Sequence, residues 1–398
     1  MQRLDLEMIK KIFLQKGKDI PVRRFHPWVF SGAIAQTNTK LQDGDQVQVL
    51  DHQENYLATG HYHNGNIAVR LFCFEEIEIN ADFWSHRLRA ALAVRQSLGF
   101  TDTNCYRLVH GEGDGCSGLV IDWYNGVAVF QAHSIGMHLA QAQIVAALQE
   151  IYGEQLRAVY DKSAETLPEQ YAKTIRNSYV FGQAQVPHAV LENGHTFMID
   201  WETGQKTGFF LDQRDNRALV ARYSKGKNVL NAFCYSGGFS VYALGAGAQN
   251  VDSIDASQKA IDLTIKNIEA NHLTDASTHN IADDVMRYFK NDDTVYDVMV
   301  LDPPAFAKSL SARHRAVQGY KRLNVEGLKR LAPGGILFTF SCSQVVDREL
   351  FYNTVVAAAM EVGRQVRVLH QLTQPADHPI NVFHPESNYL KGLVLYVE

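Results

Sequence analysis

The segment Gly334-Gly335-Ile336-Leu337-Phe338-Thr339-Phe340-Ser341-Cys342-Ser343-Gln344 limits the choice of fold more than any other. An apolar run after a Pro-Gly-Gly turn reads as a central parallel strand, buried on both faces and covered by helices above and below. From about residue 229 onward, further strand-like runs alternate with helical spacing, which is the pattern of a doubly wound α/β domain. Cys342 falls at the carboxyl end of its strand, where open α/β sheets place their ligands. It is therefore a candidate nucleophile. A lone cysteine on an apolar strand also serves as a small buried hydrophobe, so the choice rests on its neighbours.

Strand, tight glycine loop and helix follow one another in Val229-Leu230-Asn231-Ala232-Phe233-Cys234-Tyr235-Ser236-Gly237-Gly238-Phe239-Ser240. Glycines at such a turn let the backbone approach a ligand closely, and the helix start supplies N–H donors. GxGxxG is missing, which disfavours a dinucleotide pyrophosphate. The strand Asn250-Val251-Asp252-Ser253-Ile254-Asp255 ends in an acid about 20 residues after the loop, where a ribose diol is held. The acidic turn Asp283-Asp284-Val285, after the strand Thr278-His279-Asn280-Ile281, suits an adenine amino group. Acids at strand ends are common, but this order and spacing describe an S-adenosylmethionine pocket. The polar loop from Gly204 to Arg217, gathered around Phe209 and Phe210, reads as functional and runs into a helix with Asp212 near its start. The cofactor-binding candidates are Phe210, Asn231, Tyr235, Ser236, Gly237, Asp255, Asp284 and Asp302.

Asp302 follows the strand Tyr296-Asp297-Val298-Met299-Val300-Leu301 and precedes Pro303-Pro304-Ala305-Phe306. Two prolines after an acid stiffen the backbone and aim the carboxylate into the crevice. Between residues 307 and 332, Lys308, Arg313, Arg315, Lys321, Arg322, Lys329 and Arg330 face only Glu326. A basic rim beside that crevice suits an RNA backbone.

Residues 1–75 carry short alternating segments between turns, the pattern of a small β-rich domain. Its leading edge is basic, with seven Lys and Arg against three acids over residues 1–26, in a chain of net charge −5. Arg23, Arg24 and His26 beside Trp28 and Phe30 suit phosphate contact and base stacking, or equally a solvated face beside core aromatics. Residues 76–187 read as a middle α+β region: a helix over 81–98, strands on either side of a Tyr124-Asn125-Gly126 hairpin turn, and a helix from Met137 to Tyr152. Glu112 and Asp114, flanked by glycines, shape a tight turn rather than a catalytic pair. His195 to Asp200 is expected to begin another hairpin.

Five scattered cysteines, Cys73, Cys105, Cys116, Cys234 and Cys342, without metal-ligand spacing, argue against a disulfide framework and against a metal site. No apolar signal core or stretch of about 20 apolar residues is present, so the expectation is a cytoplasmic protein with no membrane partner.

A thiol in such a pocket has a chemical purpose. C5 of a pyrimidine is a poor nucleophile, and addition of a thiolate to C6 makes the ring an enamine whose C5 attacks a methyl donor. Cys342 is then the nucleophile, and Asp302 the group at the N3/N4 edge that stabilises the protonated ring.

Several motifs carry a family likeness. Arg24-Phe25-His26-Pro27-Trp28-Val29-Phe30-Ser31-Gly32 resembles the opening of the PUA domain, an RNA-binding β-barrel at the front of a family of bacterial ribosomal RNA methyltransferases. Asp302-Pro303-Pro304 followed by an aromatic resembles the substrate-base site of nucleic-acid methyltransferases. With Lys206 to Arg214, Tyr235 to Phe239, Ser341-Cys342-Ser343 and His384 to Gly392, nearly the whole chain is similar to the bacterial 23S rRNA large subunit methyltransferase I family, which makes 5-methylcytosine. The resemblance implies a PUA-like domain over 1–75, the middle α+β domain over 76–187, and a class I S-adenosylmethionine-dependent methyltransferase domain over 188–398. That last domain would be Rossmann-like, with a mostly parallel seven-stranded sheet. It implies S-adenosylmethionine as cofactor and 23S rRNA as partner, with Arg23, Arg24, Trp28, Pro303, Pro304, Phe306 and Lys308 on the substrate and a homodimer left open. Ala305 stands where many members have Lys, no cysteine lies beside Asp302, and no residue is assigned to remove the C5 proton. The alternatives are a guanine N2 or N7 methyltransferase, which needs no thiol, and a non-catalytic RNA-binding assembly factor.

Overall fold

The computed structural model describes residues 9–307 and 309–398. The expectation for Lys308, like the basic Arg3, lies outside the described residues. The chain forms two compact units, one from residues up to 188 with 200–208 and 376–387, the other from 189–199, 209–375 and 388–398.

The first unit opens with β1 (Lys11–Leu14), α1 (Ile20–Arg23), β2 (Trp28–Phe30), β3 (Ile34–Thr37), β4 (Gln46–Leu50), β5 (Tyr56–Tyr62) and β6 (Ile67–Cys73). Six strands form one sheet in the order β2-β6-β5-β4-β1-β3. Alternation is the cause: Ile12 and Leu14, Val47 and Val49, and Val69 and Leu71 all turn into one core.

Next come α2 (Ala81–Ser97), β7 (Cys105–His110), β8 (Leu119–Tyr124), β9 (Val127–Ala132), α3 (Ile135–Leu139), α4 (Gln141–Tyr152), β10 (Ala158–Asp161), α5 (Glu169–Ala172) and β11 (Ser178–Gly182). The single helix expected from Met137 to Tyr152 is two, parted at Ala140. Asn125 and Gly126, with φ of 43° and 90°, close β8 onto β9 with Tyr124 opposite Val127. Only a turn with positive φ at both central residues matches the strand twist in so short a loop. Asp114 accepts two bonds from buried Arg95 (2.5 and 2.8 Å), and Glu112 accepts from Trp28 Nε1 (2.8 Å) and Arg70 (3.2 Å), so both acids hold structure. Residues 376–387 join this unit through Asp377, whose carbonyl takes Arg95 (2.8 Å) and whose carboxylate takes the Arg107 N–H (3.1 Å).

The second unit starts with the hairpin β12 (His188–Glu192) and β13 (His195–Ile199), so His195 opens the second strand of this hairpin rather than the first of another. The turn is Asn193-Gly194, again with both φ positive. There follow α6 (Arg214–Ser224), β14 (Asn228–Ala232), α7 (Gly238–Gly245), β15 (Asn250–Asp255), α8 (Gln258–Ala270), β16 (Ser277–Ala282), α9 (Val285–Asn291), β17 (Tyr296–Leu301), α10 (Arg313–Lys329), β18 (Leu331–Ser341), α11 (Arg348–Val362), β19 (Val366–Leu372) and β20 (Lys391–Val397). The sheet order is β16-β15-β14-β17-β18-β20-β19. The strands from β16 across to β18 are parallel, and β20 runs antiparallel to both β18 and β19. The chain leaves β14 toward β16 and returns to β17 on the other side, so the strand order reverses between β14 and β17. In α/β sheets that crevice is the ligand site.

One buried ion pair ties the hairpin to α6, with α7 adding a hydroxyl. Glu192 accepts from Arg217 Nε (2.8 Å) and Nη2 (2.7 Å) and from the Tyr242 hydroxyl (3.0 Å), with Glu192 and Arg217 both buried. Arg217 Nη1 also donates to the Phe210 carbonyl at 2.9 Å, which fixes the loop entering α6. No helix among the described residues is long and apolar enough to cross a membrane.

Removing one partner of such a pair leaves a buried charge uncompensated. Glu192→Gln is expected to lower unfolding stability by about 3–5 kcal/mol, read from urea denaturation; an unchanged midpoint contradicts the role given to the pair.

Candidate active site

The turn after β14 is shaped by backbone that side chains rarely adopt. Phe233, Tyr235 and Gly237 have φ of 61°, 47° and 72°, and a Cβ on Gly237 would lie 2.5 Å from Thr264 Cγ2. Glycine is required there. The turn delivers the chain to the start of α7, whose first N–H groups face outward from the helix. Asn231, buried on β14, donates to Ser240 Oγ (2.8 Å), and its Oδ1 has no partner in the protein. Asp255 at the end of β15 accepts the Tyr235 N–H on one oxygen (3.0 Å) and the Ser257 N–H on the other (2.9 Å). Each carboxylate oxygen keeps a lone pair for a further donor. Phe210 packs edge-on against Tyr235 with ring centroids 5.1 Å apart, and Ser236 is buried in the same turn. Asp284 caps α9 by accepting the Arg287 N–H (2.9 Å), and Asp283 pairs with the Arg287 side chain, so this acidic turn is partly committed to its own helix.

The ends of β17 and β18 lie side by side, with Leu301 opposite Thr339. Asp302 accepts from Gln213 Nε2 at 3.0 Å, and Gln213 Oε1 accepts from Asn216 at 2.6 Å. This amide pair orients the carboxylate, and Gln213 is a site residue that the sequence reading did not single out. Pro303 is buried and Pro304 exposed. The Phe306 ring lies against Tyr320 at 4.6 Å over Gly319, where a Cβ would come within 2.9 Å of the ring. The Tyr320 hydroxyl meets Ser343 Oγ at 2.9 Å, and the Ala307 N–H donates to the same oxygen at 3.4 Å. The Asp-Pro-Pro loop and the turn holding Cys342 are thereby tied together. Cys342 is half-buried, whereas Cys73, Cys105, Cys116 and Cys234 are buried. Burial pushes the Cys116 and Cys234 thiols up to about 12, which keeps them protonated and inert.

The basic rim is smaller than the sequence suggests. Arg330 is buried, donating to the Asp292 carbonyl (3.0 Å) and to Glu326 (2.7 Å), while Lys329 pairs with Glu326 (2.9 Å) and Lys321 with Glu361 (2.6 Å). Arg313, Arg315 and Arg322 are exposed along α10.

In the first unit, Arg23 is held by Asp19 (2.5 Å) and Asp51 (2.6 Å), and Trp28 is half-buried, packed on His384 at 4.2 Å and bonded to Glu112. Arg23 thus stays half open to solvent while paired to two acids, and Trp28 is committed in part to His384 and Glu112. Arg24, Phe25, Phe30 and Phe383 are exposed too, and Phe25 has φ of 61° and lies 5.3 Å from Phe383. His26, His384 and Glu386 bring one ligand atom each to within 4.8 Å of one another. No metal site was expected, and spacing along the chain does not show this cluster, because His26 lies far in sequence from His384 and Glu386.

Residues 106–384 match the S-adenosylmethionine-dependent methyltransferase family, and residues 12–74 match the PUA-like domain. A protein of Aeromonas hydrophila subsp. hydrophila named ribosomal RNA large subunit methyltransferase I is 38% identical, covering 98% of this chain and 99% of the relative. One of the same name from Escherichia coli O139:H28 is 38% identical over 98% of this chain and all of the relative. Among solved structures, a protein of Streptococcus mutans described as a SAM-dependent methyltransferase aligns with a TM-score of 0.83 at 25% identity, over 98% of this chain and 100% of that one. A structure described as that of a methyltransferase complexed with SAH aligns with a TM-score of 0.84 at 25% identity over the same shares. S-adenosylmethionine fits the donor set here: a helix start behind a glycine turn, an orphaned amide oxygen on Asn231, and the Asp255 carboxylate with lone pairs to spare.

Gly237→Ala is expected to weaken SAH binding at least about tenfold, since the side chain forces the turn away from its positive φ. Isothermal titration checks this, and wild-type affinity would contradict the assignment of the turn.

Proposed function

The chain belongs to the ribosomal RNA large subunit methyltransferase I family of S-adenosylmethionine-dependent methyltransferases, and from that membership we propose that it methylates C5 of a cytosine in 23S rRNA through Cys342. One observation carries the reading. Of the five cysteines only Cys342 is not buried, and it follows the last residue of β18, beside the strand whose end presents Asp302.

When bound, S-adenosylmethionine supplies an electrophilic methyl group, with Asn231, Tyr235, Ser236, Gly237, Asp255, Asp284 and Phe210 around it. The chain's task is to make C5 nucleophilic. The Cys342 thiolate forms a bond to C6, and the displaced π electrons run through C4 to N3, which takes a proton from the Asp302 carboxyl. Gln213 holds that carboxyl in place, so the charge change on the ring meets a group already oriented. Once C5 carries the methyl group, its C5–H bond breaks, the electron pair restores C5=C6, and the S–C6 pair returns to sulfur. N3 gives its proton back to Asp302, and the C5 proton leaves to water. Pro303, Pro304 and Phe306 border the ring. RNA outside the pocket meets Arg313, Arg315 and Arg322 on α10, and Arg24, Phe25 and Phe30 in the PUA-like domain, where aromatic faces suit unstacked bases. Acting on ribosomal RNA, it would work in the cytoplasm.

5-Fluorocytosine cannot lose its C5 substituent as a proton, so the adduct persists. RNA from the large subunit carrying this base is expected to form a denaturation-resistant complex with the wild-type protein and S-adenosylmethionine, and none with Cys342→Ala. A wild-type protein that never cross-links would overturn the C5 reading and leave the guanine alternative.

A further inference from the structure

We propose that Lys391 is the buried cation that holds the Cys342–Ser343 turn and favours the thiolate of Cys342, a positioning residue that acts through the nucleophile and not on the cytosine. The inference rests on Cys342 being that nucleophile. Lys391 opens β20 and stands directly opposite Ser341, the last residue of β18. Residues opposed in an antiparallel pair share a face, so the lysine side chain runs alongside the end of β18. Its Nζ donates to the Ser343 carbonyl at 2.7 Å. The two ends of the lysine thus fasten the backbone on either side of Cys342, by ladder pairing at Ser341 and by this bond at Ser343.

Among the described residues no carboxylate is in contact with the Lys391 amine, and the residue is 4% exposed. A lysine that deeply buried normally has an anionic partner. The groups around it narrow the choice. On α11, Arg348 disfavours the ammonium and Asp347 favours it, while Asp347 Oδ1 is committed to capping the helix through the Leu350 N–H (2.8 Å). On α10, the Tyr320 hydroxyl is bonded to Ser343 Oγ, and burial pushes that phenol up, so it stays neutral. Cys342 acts on the lysine charge ahead of Asp347, and its negative form favours that charge. Burial pushes the amine down to about 8, which still leaves the ammonium predominant at neutral pH. In the step assigned here the S–H bond of Cys342 breaks, sulfur keeps the electron pair and the proton passes to water. Lys391 neither gains nor loses a proton. An ammonium beside a thiol favours the thiolate in this way elsewhere.

Cys342 alkylation by iodoacetamide, followed by peptide mass spectrometry across pH, tests the proposal without RNA or cofactor. In the wild-type full-length protein the midpoint of the rate profile is expected below the ordinary thiol value of about 8.5. Lys391→Met is expected to shift it up by at least about one unit, a tenfold slower reaction at pH 7, while Lys391→Arg, which keeps the cation, stays near wild type. In turnover, Lys391→Met is expected to lower kcat and leave KM for RNA unchanged. A folded Lys391→Met with a wild-type profile overturns the proposal. If that variant does not fold, a wild-type midpoint at or above that of the urea-unfolded chain overturns it. The cytosine reading fails separately: a shifted profile without any 5-fluorocytosine cross-link sinks that reading and spares Lys391, and a cross-link with an unshifted profile does the reverse.

Discussion

Where a parallel strand ceases to be buried decides where chemistry can sit in the second unit. Along β14, β17 and β18 the side chains are almost all buried and apolar, because helices cover both faces and the backbone is spent on ladder bonds. A polar or reactive side chain can face a ligand only past the last ladder pair. Tyr235 after β14, Asp255 at the end of β15, Asp302 after β17 and Cys342 after β18 all occupy that position. The reversal of strand order between β14 and β17 leaves no crossover helix between them at that edge, so cofactor groups and substrate groups line one crevice. The reaction assigned to the chain follows from which residues the strands end on.

The loops that carry these end residues are tied down by polar contacts behind them. Arg217 joins Glu192 on the hairpin to the Phe210 carbonyl, Gln213 joins Asn216 to Asp302, and Lys391 and Tyr320 both meet Ser343 beside Cys342. These contacts come from residues far apart in the chain. They act by orientation: a carboxylate or thiol that must meet a base edge gains more from being fixed before substrate arrives than from a stronger intrinsic basicity. In the first unit the same chemistry serves structure, where Arg95 with Asp114 and Arg107 with Asp122 are bidentate pairs that hold strands and turns.

Much of this was legible in the sequence because it depends on local rules. The apolar run before Cys342, the glycine turn after Val229 and the proline pair after Asp302 each specify their own backbone, and the fold family follows from their order. Asn125-Gly126 gave its hairpin for the same reason. What escaped was set by partners distant in the chain. The indole of Trp28 looked free until Glu112 was seen to accept its N–H and His384 to pack on it, and Arg330 looked like part of a rim until its guanidinium was found bonded to the Asp292 carbonyl and Glu326. Charge counts along a helix cannot separate a buried ion pair from a solvated one. Gln213 and Lys391 sat inside motifs already singled out, yet their roles depend on Asp302 and Ser343, which only the folded sheet brings near. The helix expected from Met137 to Tyr152 failed at one residue, Ala140, where apolar periodicity carries no signal for a break.

The central claim is that the edge ending in Asp302 and Cys342 places one methyl group on cytosine C5 of large-subunit ribosomal RNA. Mass mapping of 23S rRNA from cells with and without this gene tests it most directly. The account predicts that one 5-methylcytosine disappears without the gene, returns with the wild-type chain and does not return with Cys342→Ala. An unchanged map, or a methyl group lost from a guanine instead, would contradict it.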